Sequence, residues 1–199
     1  MDVKTRKAEQ SEATRRALLD EARLLFADRG FADTPTEEIV QRARVTRGAL
    51  YYHFKDKTAL FAAVVEEMET EVTQKVAEVA LGSGGVWEGL IGASDRFLDL
   101  CLDPGVRRVL LIEAPAVLGP AAWREIEERY GLGLTKVALE TAMNEGLIDR
   151  GPAEPLAHVL LGALNEAALT IGASPDPAKA RVEVGAALRR LLEGLRARP

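Results

Sequence analysis

One cysteine, two histidines and 5% aromatic residues are all that this 199-residue chain has of three chemically distinctive classes. A single cysteine, Cys101, rules out an internal disulfide and fits a reducing compartment. Two histidines, His53 and His158, with that one cysteine give no metal-ligand spacing. Neither Gly-x-Ser-x-Gly nor His-Glu-x-x-His occurs, so the expectation is a protein that is not an enzyme and needs no cofactor. Cys101 and His158 are the one pair from which a nucleophile and base could be imagined, and nothing in the sequence brings them together. The opening "MDVKTRKAEQ" has charges without an apolar run behind it, unlike a signal peptide. No stretch is read as approaching the roughly 20 apolar residues of a membrane span, and a cytoplasmic setting is expected. "GSGG", Gly82 to Gly85, has no strand before it and no Gly-Lys-Ser/Thr after it, so it reads as a joint, not a phosphate cradle. Strict alternation of apolar and polar residues is absent, and with it any sign of a strand.

What the chain does have is 47% hydrophobic residues, enough for a core, and 29% charged residues of mixed sign. Net charge is −5, unevenly spread: residues 1–57 carry +2 and the remainder −7. That asymmetry permits a polyanionic partner for the N-terminal part.

Helical periodicity dominates. Leu18, Ala22, Leu25 and Phe26 share one helix face, and Gly30 reads as a C-terminal stop. In "TPTEE", Thr34 is expected to cap a short helix over about 35–43, with Pro35 at its first position and Glu37 completing a capping box. Thr46 caps a second short helix ending near Phe54, and Asp56 caps a long one over about 57–80. Beyond residue 81 helices are expected over about 86–102, 104–114, 120–145, 153–173 and 177–197, with breaks at Pro104-Gly105, Pro115 and Gly119-Pro120. The fold class is all-α, about nine helices. It divides into an N-terminal helix-turn-helix domain over 1–57 and a C-terminal bundle over 81–199.

"TRGALYYHFKDK", Thr46 to Lys57, packs two phenols, an imidazole and cations into twelve residues. A helix-turn-helix explains this crowding, because its second helix enters the major groove by its N-terminal residues. Arg47 suits guanine, and Gly48 and Ala49 allow close approach. Tyr51, Tyr52 and His53 suit phosphates or a thymine methyl, while Leu50 and Phe54 anchor the helix from behind. Lys57 lies in the first turn of the long helix, where its charge opposes the dipole and where a DNA phosphate would account for it. The alternative is a packed aromatic corner with ordinary surface cations.

The segment "TRRALLDEARLLFADRGFADTPTEEIVQRARVTRGALYYHFKDKTALFAAVV", Thr14 to Val65, resembles the DNA-binding domain of TetR-type transcriptional regulators, with "LLFADRGF", "EEIVQRA", "VTRGALYYHFKDK" and "ALF" in register. The resemblance implies a homodimer placing two recognition helices in successive major grooves of a palindromic operator. It implies a small effector bound by the C-terminal domain, and repression as the usual outcome. It also implies DNA contacts from Thr46, Arg47, Ala49, Tyr51, Tyr52, His53 and Lys57. The chain departs from the pattern twice. Arg44 stands where the turn usually has glycine, straining the turn or adding a phosphate contact. Pro35 stands where a Ser or Thr cap is usual. A helical interaction module that no longer binds DNA is the alternative.

In the bundle, one apolar stripe comprises Leu156, Val159, Leu160, Ala163, Leu164, Ala167 and Ile171. A second comprises Val184, Leu188, Leu191, Leu192 and Leu195. Helices 153–173 and 177–197 are therefore expected to form a four-helix interface between two subunits, unless both stripes pack inside one. Candidate lining residues for an effector cavity are Phe97, Cys101, Glu113, Trp123, Tyr130 and Asn165, each of which could equally belong to core or interface. Glu113 is expected to pair with Arg96, Arg107 or Arg108. The lining suits a small, largely apolar effector.

Overall fold

The computed structural model describes residues 3–197, and among them every regular element is a helix, as expected, apart from an isolated bridge between Ile148 and Arg196. Four helices build the head: α1 (Val3–Arg29), α2 (Thr36–Arg42), α3 (Arg47–His53) and the first half of α4 (Lys57–Gly82). The bundle follows with α5 (Val86–Leu100), α6 (Pro104–Val106), α7 (Ala114–Glu127), α8 (Gly133–Asn144), α9 (Ala153–Ala173) and α10 (Pro177–Glu193). Two π-helical stretches, Arg107–Glu113 and Glu128–Leu132, join α6 to α7 and α7 to α8. The expected break at Pro115 does not form: Pro115 falls at the start of α7, where a missing N–H is tolerated. Gly119, at φ +78°, supplies a kink before Pro120.

The three helices α1 to α3 share one core with the start of α4. Leu18, Leu25 and Phe26 of α1, Ile39 of α2, Leu50 of α3 and Leu60 and Phe61 of α4 are fully buried together. Phe26 and Phe61 meet edge to face at 5.1 Å, and Phe31 joins Phe61 at 5.2 Å. Thr46 and Asp56 cap α3 and α4 as expected, accepting from the amides of Ala49 and Ala59.

Thr34 does not cap α2. It is completely buried, and its hydroxyl donates to the carbonyl of Gly30 at 2.7 Å. Pro35 takes the cap position without any side-chain bond, leaving Glu37 and Glu38 to complement the helix dipole. The carbonyls at the end of α1 had the stronger claim on the hydroxyl, because they lie inside the core, whereas the first amides of α2 reach water.

The turn between α2 and α3 keeps its usual geometry despite Arg44. Arg44 adopts φ +55°, and the amides of Arg44 and Val45 bond the carbonyls of Gln41 and Val40. This is a Schellman closure with arginine in the position glycine prefers. The strain costs about 1 kcal/mol. Arg44→Gly is therefore expected to raise the thermal midpoint slightly, and Arg44→Val to lower it, in paired melting curves.

The apolar stripes of α9 and α10 are mostly spent within the protomer. Leu160, Leu164, Ala167 and Ile171 are buried with Leu188 and Leu192. This corrects the expectation that both stripes face a partner. The two helices pack antiparallel, so their widest apolar faces meet each other first. Val159, Val182 and Leu191 remain outside, and Gly162 faces open space. α9 also corrects the reading that no stretch is long and apolar enough to span a membrane: by length and composition it could cross a bilayer, and one face of it, with Leu160, Leu164 and Ile171, packs into the bundle core.

Candidate functional sites: recognition helix and bundle cavity

α3 turns two anchors inward and its polar residues outward. Leu50 is fully buried and Phe54 nearly so, while Tyr52 is 79% exposed and Tyr51 44%. Arg47, Gly48 and Thr46 are exposed at the N-terminal end, with Ala49 and His53 at the flank. The Arg47 guanidinium sits 5.6 Å from the Tyr51 ring and 3.2 Å from Glu37, both on the surface. Tyr52 and His53 meet edge to face at 5.0 Å. Such exposed contacts are weak and exchange readily for a phosphate or a base. Arg44 lies exposed beside the same end of α3.

Lys57 is different. Its ammonium lies 4.3 Å from the centre of the Phe31 ring and 3.5 Å from the Ala32 carbonyl. Partial burial lowers its pKa, opposed by the charges of Asp33 and Glu113. An internal reason for a cation at this helix start therefore exists, which the sequence did not reveal.

The bundle encloses a cavity of about 300 Å³, at the small end of the range for ligand sites. Its walls come from α4, α5, the π stretch before α7, α7 itself, α8 and α9. Phe97, Trp123 and Asn165 line it. Cys101, Glu113 and Tyr130 do not, which corrects half of the expected lining.

Cys101 is buried in the bundle core, and burial pushes its thiol up to about 12, the opposite of an activated nucleophile. His158 is exposed on α9. Glu113 accepts from the Phe31 amide at 2.8 Å and fills the space over Gly30. None of its expected arginine partners reaches it. Arg108 donates to the carbonyls of Ala27 and Asp28, and Arg107 to those of Cys101 and Leu102. Unpaired helix-end carbonyls claimed both arginines. Tyr130 packs against the head-side core.

The two ionisable residues of the cavity escaped the sequence reading: Glu69 of α4 and Glu127 of α7. Burial pushes the Glu69 carboxyl up to about 7, and the Glu127 charge adds to the rise. Burial also raises Glu127, partly offset by His158 and the Trp123 indole. A signal was present. Glu69 falls between Val65 and Val72 on the apolar stripe of α4, and Glu127 is four residues after Trp123.

Residues 18–64 match the family described as "Bacterial regulatory proteins, tetR family", and residues 87–195 match "Tetracyclin repressor-like, C-terminal domain". A TetR-family transcriptional regulator from Pectobacterium atrosepticum has the same fold, with a TM-score of 0.82 and 32% identity over 96% of this chain and 98% of that one. The chain belongs to the TetR family of transcriptional regulators and carries its DNA-binding helix-turn-helix. Among relatives, the Tn10 TetC protein of Escherichia coli is 25% identical over 165 residues, 81% of this chain and 82% of that protein. The HTH-type transcriptional regulator AcrR of Shigella flexneri is 44% identical over 64 residues, 32% of this chain and 30% of its own length.

Proposed function

We propose that this protein is a ligand-responsive repressor. It binds a palindromic operator as a homodimer and leaves it when a small effector fills the bundle cavity. The observation that carries the reading is the outward face of α3, where Arg47, Tyr51 and Tyr52 stand in solvent over a rigid hydrophobic footing. Arg47 reads a base edge. Thr46, Gly48 and Ala49 let the helix approach, and Arg44, Tyr51, Tyr52, His53 and Lys57 hold the phosphate backbone. Lys57 does so while resting on Phe31. The left-handed Arg44 keeps the turn intact, which supports a head that still binds DNA. A cytoplasmic setting follows from the DNA partner.

Dimerisation is assigned to the outer faces of α9 and α10, through Val159, Gly162, Val182 and Leu191. Two routes lead from cavity to head. α4 carries Glu69 in the cavity wall and, twelve residues earlier, Lys57 at the head, about 18 Å away along the helix. The π stretch before α7 puts Leu111 in the wall while its Arg108 and Glu113 grip the end of α1. A ligand that prefers one packing of these segments would shift the spacing of the two heads by its differential affinity alone.

The test is a mobility-shift titration with the DNA upstream of the protein's own gene. Tight binding that weakens steeply with salt, by a species of twice the 21.6 kDa chain mass in light scattering, is expected. Failure to retain any fragment in a genomic selection would overturn the reading.

A further inference from the structure

Four glutamates follow one another closely on α4, and three of them have arginine partners. Glu66 meets Arg129 at 2.9 Å, Glu67 meets Arg16 at 3.0 Å, and Glu71 takes a two-pronged contact from Arg23. The fourth, Glu69, faces the cavity and has no ion-pair or hydrogen-bond partner among the described residues. Glu127 enters the same cavity from α7 without a cation at ion-pair distance. Among the described residues no lysine, arginine or histidine lines the space. The nearby hydroxyls of Ser94, Thr135 and Thr141 are spent on carbonyls of their own helices. The cavity thus offers two carboxylates, the Asn165 amide, the Thr73 hydroxyl, two aromatic rings and otherwise apolar wall.

Both carboxylates are half-buried; a carboxylate drawn out of water without a cation is costly, and a second one nearby makes both worse. An anionic ligand would add a third like charge. A neutral one would answer neither charge and would hold Glu69 in its protonated form. A ligand bearing one positive charge on an apolar body satisfies the site, because its charge answers the carboxylates and its body fills the wall. The faces of Phe97 and Trp123 favour a cation as well. We propose that the cavity takes a lipophilic organic cation, with its charge on the Glu69 and Glu127 carboxylates and its apolar body against Phe97 and Trp123. This rests on the reading of the cavity as the effector site.

The groups facing the pair are few. Cys101 lies near Glu69, and His158 and Arg124 lie near Glu127. A bound cation favours both ionised carboxylates, so binding releases protons. Affinity for a permanently charged ligand should rise between about pH 6 and 8, as Glu69 ionises.

The experiment compares benzyltrimethylammonium with neopentylbenzene, which has the same shape with carbon in place of the charged nitrogen. Calorimetry on the full chain at pH 8 is expected to give at least tenfold tighter binding of the cation. The preference should shrink at pH 6 and vanish in the Glu69→Gln, Glu127→Gln double variant. Equal or tighter binding of the neutral probe to the unaltered protein overturns the proposal, as does a preference that survives in the double variant. The unaltered protein decides the matter alone if the double variant does not fold. Mobility shifts run in parallel separate the two readings. Release of DNA by the neutral probe with no cation preference sinks only the cation. Absence of DNA binding with the preference intact sinks only the regulator.

Discussion

Glu69→Gln should stabilise the protein at pH 8 by roughly 3 kcal/mol and leave it nearly unchanged at pH 4.5. The folded state holds the Glu69 proton up to about pH 7, against 4.5 for an ordinary glutamate. Between those values the folded chain binds more protons than the unfolded one. The stability associated with that proton is complete below about 4.5 and is lost as pH rises through about 7. Glutamine keeps the shape and hydrogen-bonding capacity of the protonated acid and never ionises. For a chain of this length the gain amounts to a thermal midpoint higher by roughly 6–12 °C at pH 8. The Glu127 charge on α7 adds to the rise that burial imposes on Glu69, so Glu127→Gln should make the loss smaller and complete it at lower pH. Thermal melts at several pH values check this. Parallel stability profiles for Glu69→Gln and the unaltered protein would mean that water in the cavity solvates the carboxylate.

Arg47→Ala should weaken operator binding by about 1–3 kcal/mol per half-site, hence roughly 2–6 kcal/mol for a dimer reading both. Arg47 is the longest donor at the N-terminal end of α3, and its pairing with Glu37 lies in solvent, so little is lost in exchanging it for a guanine. Binding to random DNA should fall far less, since the tyrosines and the phosphate-facing cations remain. The measurement is a paired titration on a selected operator and a scrambled duplex at fixed salt. Equal losses on both would assign Arg47 to the phosphates and move base reading elsewhere on α3.

The head was almost fully legible because its signals are local. Caps at Thr46 and Asp56, the Leu50–Phe54 pair and the α1 stripe each depend on residues within a turn or two. Even so, Thr34 went to the carbonyls of α1, not the amides of α2. That choice depended on which chain end was buried, and spacing carries no burial information.

The bundle was legible only as helices. Glu113, Cys101 and Tyr130 looked like cavity residues because they are polar or aromatic in apolar surroundings. Their surroundings turned out to be the end of α1, the bundle core and the head-side core. Glu69 and Glu127 went unremarked because a glutamate among charged neighbours looks like ordinary surface.

The sequence by itself determined the class of fold, the recognition helix and the face it turns outward, since helix periodicity and capping are properties of contiguous residues. Tertiary structure alone decided which of the four clustered glutamates Glu66, Glu67, Glu69 and Glu71 stays without an arginine, which halves of the α9 and α10 stripes remain exposed, and what holds the end of α1. Each of those outcomes is a competition among groups distant in sequence for one partner or one buried face, and the winner is set by which helices pack side by side.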